Sequence, residues 1–191
     1  MDFLMNFLNA TPFGAYDKIV GLIGYILGSV NFYAFTILTY QMFGIGVSYS
    51  KYYYCFPTAK NDFLWSHNIR WLFKLFMYIT IASLIMIGQN YLYFIVGILF
   101  FIMAVNPSVN GGNIYFIPHI IGATSAITLG LFGLCICYDM WYMPVAALGL
   151  VSVILLSSKT NDYVNEHKIY FIEFFCILVL KFGMAIGNFL M

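Results

Sequence analysis

The stretch "IYFIPHIIGATSAITLGLFGLCICY" (residues 114–138) holds one histidine, His119, and no charged side chain in a run of apolar and small residues. A helix that crosses a bilayer needs about 20 mainly apolar residues, and this run reads as one. Working outward, stretches 19–45, 69–88 and 90–107 precede it and 140–157 and 168–190 follow it, each with the same character. The breaks carry turn chemistry: Gly88-Gln89-Asn90, "NPSVNGGN" with Pro107 and Gly111-Gly112, Asp139, and the polar "SKTNDYVNEHK". The expected fold is all-α: residues 1–191 form a single integral membrane domain, a polytopic membrane helix bundle of six transmembrane helices.

Composition points the same way. The chain is 63% hydrophobic and only 8% charged, whereas a soluble domain is about 25% charged. A net charge of +1 supplies no basic patch to neutralise phosphates, which excludes nucleic acid as a partner. The start, "MDFLMNFLNATPFGAYDK", carries two acids and no positive lead, and reads as an amphipathic interfacial segment rather than a secretory signal. Cys135 and Cys137 are two apart on a helix and point to different faces. With Cys55 and Cys176 they are expected to be free thiols.

Orientation follows from lysine and arginine. Lys51, Lys60, Arg70, Lys74, Lys159 and Lys168 fall on the side of the first, third and fifth loops, against Lys18 on the other. The positive-inside rule then puts the odd loops in the cytoplasm and both termini outside, in a plasma or inner membrane. Lys181 is expected to snorkel toward the termini side. The aromatic groups 52–54, Trp65, Trp71, Trp141 and Tyr142 are expected at the interfaces.

Two ionisable residues mark the candidate site. His119 stands five residues into the fourth expected helix and Glu173 five residues into the sixth, both entered from the odd-loop side. At about 1.5 Å per residue they share a depth of about 7–8 Å. Ionisable groups at such depth face a partner or a wet cavity. The expectation is that they face each other, with Ser48, Ser50, Tyr52 and Arg70 completing a polar, ligand-binding pocket. His67, His119 and His167 lack any HxxxH or HExxH spacing, so no metal is expected, and nothing calls for a cofactor.

Three motifs give the chain a family resemblance. "GVSYSKYYYCFP" after the first helix, "HIIGA" (His119, Gly122, Ala123) opening the fourth, and Glu173 in "FIEFF" resemble, in order, motifs of the six-span Frag/DRAM/Sfk membrane proteins. Gly46, Lys51 and Phe174 depart from that pattern, standing where those proteins carry proline, aspartate and often tryptophan. The resemblance implies a six-span fold and a link to membrane lipids. It also implies a first loop facing the lumen or exterior, opposite to the side the lysines give.

The expected function is a multi-pass, non-enzymatic protein. It binds a membrane lipid or stabilises a membrane assembly, with a membrane-protein partner or in a homo-oligomer. The alternatives are a lipid-modifying enzyme using Ser48 or Ser50 with His119 and Glu173, in the logic of a triad, and a small channel or transporter.

Overall fold

The computed structural model describes residues 2–12, 14–49, 52, 70–105 and 112–189, with only the main chain at Arg70 and at 112–116. Among the described residues every regular element is a helix: α1 (Asp2–Asn9), α2 (Lys18–Phe43), α3 (Arg70–Gly88), α4 (Tyr91–Val105), α5 (Gly112–Tyr138), α6 (Tyr142–Ser157) and α7 (Asp162–Phe189). Four of these, α2, α3, α5 and α7, are long and apolar enough to cross a membrane. The other two apolar helices are shorter. Described over 15 residues, α4 is about 22 Å long. The 16 residues of α6 make about 24 Å. Both fall short of the roughly 30 Å of a hydrocarbon core.

Local chemistry sets the helix ends. Asp17 caps α2, its carboxylate accepting the amides of Ile19 at 2.8 Å and Val20 at 3.3 Å, as N-cap carboxylates do. Gly44 closes α2 at φ 72° with its amide donating to the Tyr40 carbonyl, a conformation that costs glycine little. The short turns between α3 and α4 and between α5 and α6 each contain a non-glycine residue at positive φ, Gln89 at 50° and Asp139 at 54°. Gln89 is held there by exchanging two hydrogen bonds with the Asp17 main chain.

One boundary differs from the sequence reading. Residues 162–167, expected as loop, form the first turns of α7. Asn161 accepts the Val164 amide at 3.2 Å and Asp162 occupies the first turn. A cap followed by an acid at the positive end of the helix favours that start.

Small residues bring α2 against α3. A Cβ at Gly24 would meet Met86 Cβ at 2.5 Å, and one at Gly28 would overlap the Ser83 side chain. Ser83 donates to the Gly24 carbonyl at 2.8 Å, and Asn31 donates to the Phe76 carbonyl and to Thr80. Interfaces of this kind replace the hydrophobic drive that lipid cannot supply. Beyond this pair, α3 packs on α4, α4 on α5, and α7 on α5 and α6. The sixth helix is peripheral, burying only Ala147 and Ile154 while Leu148, Val153 and Leu156 face outward.

The two ends of the bundle are chemically distinct. At one end Asn188 donates to the Ile87 carbonyl, Asn90 reaches Cys137 Sγ, and Asp17 meets Gln89. The starts of α2 and α4 and the ends of α3, α5 and α7 therefore lie together. The opposite end contains the site.

Candidate functional site

After α2 the chain turns back into the bundle. Residues 44–49, together with Tyr52, pack against the first half of α7, which α6 and Asn161 deliver to this end. The segment is tied by main-chain chemistry: the Tyr170 amide donates to Val47 O at 3.0 Å, and His167 Nδ1 lies 3.1 Å from Gly46 O. Tyr52 locks the turn itself. Its hydroxyl donates to Gly44 O at 2.8 Å and accepts the Gly46 amide at 2.9 Å.

Glu173 is the anchor. Its Oε2 accepts the Tyr49 amide at 2.8 Å. The Tyr49 ring stacks on Tyr170 with centroids 4.7 Å apart, and its hydroxyl bonds Thr36 at 2.8 Å. Phe32, Phe35 and Phe76 enclose it. Burial pushes the Tyr49 phenol well above its usual range and that of Tyr52 up to about 12. Both phenols stay neutral at any physiological pH.

A cavity of about 30 Å³ lies beside the carboxylate, lined by Tyr49, Thr80, Met103, Ala123, Ile127 and Glu173 among others. A water needs about 10–15 Å³ on this measure. Among the described residues the space therefore takes one or two waters.

The expected site residues distribute as follows. Ser48 is buried in the returning segment, one residue from the Tyr49 amide, and Tyr52 is fully buried rather than interfacial. Its phenol reaches the Gly44 carbonyl only from the inside of the turn, which overrides its preference for an interface. His119 is also buried, and its Nδ1 lies 3.2 Å from Met103 O on α4. Met103 and Glu173 line the same cavity. The helices that carry His119 and Glu173 pack together. Ser50, the side chain of Arg70, Tyr53, Tyr54, Cys55, Trp65 and His67 lie outside the described residues. Trp71, Trp141 and Tyr142 are exposed, in keeping with interfacial placement. Among the described residues no group of His, Cys, Asp or Glu is placed to hold a metal ion.

Sequence reasoning missed Tyr49 and misplaced Lys181. Tyr49 acts through its main-chain amide, which leaves no mark in a sequence. Lys181 does not snorkel. It is 5% exposed, and its Nζ lies 5.5 Å from the Phe32 ring centroid, beside Gly28. The missing side chain at Gly28 leaves room for the ammonium inside the bundle, on a different helix from Lys181, so the sequence does not pair the two.

A cation over an aromatic face gains about 0.5–2 kcal/mol. Placing Lys at the centre of a spanning helix costs about 2.5–3.5 kcal/mol on insertion scales. The Phe32 contact therefore offsets only part of the cost.

No protein-family model, curated protein or solved structure matches this chain.

Proposed function

We propose that the chain is a multi-pass membrane protein crossing the bilayer six times, and that it holds a membrane partner or lipid without catalysing a reaction on it. The observation that carries this reading is the Glu173–Tyr49 bond beside a cavity of about 30 Å³. In a triad the acid orients the histidine. Here a main-chain amide holds one carboxylate oxygen, His119 Nδ1 lies against Met103 O, and the adjoining space is of the size of one or two waters. The polar groups at this end build the bundle and leave its outer surface to do the binding. The lysine asymmetry supports cytoplasmic odd loops in a plasma or inner membrane. The likeness to Frag/DRAM/Sfk proteins is in keeping with six spans and a lipid-facing role.

The test is incubation of the purified protein with phospholipid vesicles, with products followed by mass spectrometry. The expected result is unchanged lipid, and lipid or partner retained through purification. Turnover that disappears in Ser48→Ala would establish the enzyme reading instead.

A further inference from the structure

We propose that Lys181 and the shallow groove around it, between α2 and α7, dock a transmembrane helix of a partner protein that carries one Asp or Glu near its middle. The inference rests on the membrane reading above and adds the chemistry of the partner.

Depth comes first. Lys181 Nζ lies against Gly28 and Phe32, which stand about 15 and 21 Å along the roughly 39 Å of α2. The ammonium is therefore at the middle of a spanning helix, out of reach of lipid phosphates. Burial and pairing come second. The residue is 5% exposed, and among the described residues it forms no ion pair or hydrogen bond. It faces a cavity of about 10 Å³ with Ser29, Tyr33 and Phe182, barely enough for one water.

Access comes third. The second helix packs chiefly on α3 and meets α7 only sparingly. Tyr33 and Phe182 are 46% and 45% exposed at the rim. A helix lying across this seam would bring a carboxylate to the ammonium and hydroxyls of Ser29 and Tyr33 to either side. Intramembrane charges are usually paired with one another, and the missing partner here is an anion.

A second copy of this chain does not supply it. Of its seven acids, only Glu173 stands inside an apolar run, and that carboxylate is bound to the Tyr49 amide. The occupant is therefore a different chain.

The test uses the full-length protein, fluorescently labelled, in phosphatidylcholine vesicles. Its probes are two polyleucine transmembrane peptides with a single central Glu or a single central Gln. Energy transfer should show the Glu peptide binding about tenfold more tightly than the Gln peptide. The preference should vanish in Lys181→Met, persist in Lys181→Arg, and weaken in Ser29→Leu, which fills the groove and leaves the charge. Equal binding of the two peptides, or an unchanged preference in Lys181→Met, would overturn the proposal. Displacement of the Glu peptide by oleate at equimolar amounts would overturn it in favour of a fatty acid. Lys181-dependent energy transfer between copies of the protein, without peptide, would overturn it in favour of self-association. Protease protection and circular dichroism on the same vesicles separate the two readings. A chain that fails to insert as a helical bundle defeats the membrane reading, and one that inserts without preferring Glu defeats the docking proposal alone.

Discussion

Glu173 and Lys181 lie eight residues apart on one helix and are handled in opposite ways. The carboxylate has a partner inside the chain, the Tyr49 amide at 2.8 Å. The ammonium has an aromatic face and an open seam. A hydrogen bond contributes about 0.5–1.5 kcal/mol net, and its loss leaves a buried donor unsatisfied at about 1–3 kcal/mol. Glu173→Ala should therefore lower stability in detergent by about 2 kcal/mol. Glu173→Gln, whose amide oxygen can still accept from Tyr49, should lose less than half of that. Equal losses from the two substitutions would mean that the carboxylate works through charge and not through this bond. Both ionisable residues were legible in the sequence, because charge in an apolar run stands out. Their partners were not, since one is a main-chain amide and the other is space left by a glycine on another helix.

At the scale of elements, turns and close contacts decide the packing. Asp139 makes the turn from α5 to α6 at φ 54°. Asp and Gly tolerate that region, whereas a β-branched residue there is a true outlier. Asp139→Gly should leave the melting temperature nearly unchanged, and Asp139→Val should cost about 1–2 kcal/mol. A valine variant as stable as the parent would show that the turn can be remade elsewhere. At the α2–α3 contact a methyl group on Gly28 would overlap Ser83, whose hydroxyl is fixed to the Gly24 carbonyl. Gly28→Ala should cost about 1–3 kcal/mol, the usual penalty for overpacking, read by thermal unfolding in detergent. No loss would mean that the helices separate freely. Gly21, Gly24 and Gly28 all lie on the buried face of α2, at a spacing plain in the sequence. The sequence placed Ser48 and Tyr52 near Glu173 but not the ties of residues 44–49 to α7, because these run largely through main-chain atoms at Gly46, Val47 and Tyr49.

Across the whole molecule, helix length and the arrangement of helix ends bear on the number of crossings. Apolar runs indicated six, and four helices meet the length. Hydropathy cannot separate a short span from a helix lying within the bundle, because both are equally apolar. The arrangement of ends is in keeping with the six proposed above. The end of α5 meets the start of α4 through Asn90 and Cys137, so α4 leads away from that end and α5 returns to it. A crossing by α6, about 24 Å long, is met by local thinning of the bilayer or snorkelling of its flanking residues, at a modest cost per ångström. Three exposed positions distinguish the counts. Lys18, Trp141 and Lys159 lie at the start of α2, between α5 and α6, and between α6 and α7. With six crossings, Lys18→Cys and Trp141→Cys react with an impermeant maleimide on one face of sealed vesicles, and Lys159→Cys on the other. With only the four long helices crossing, residue 141 would share a face with residue 159 and not with residue 18. Six spans predict the first pattern, and labelling of positions 141 and 159 from the same face would reduce the count to four.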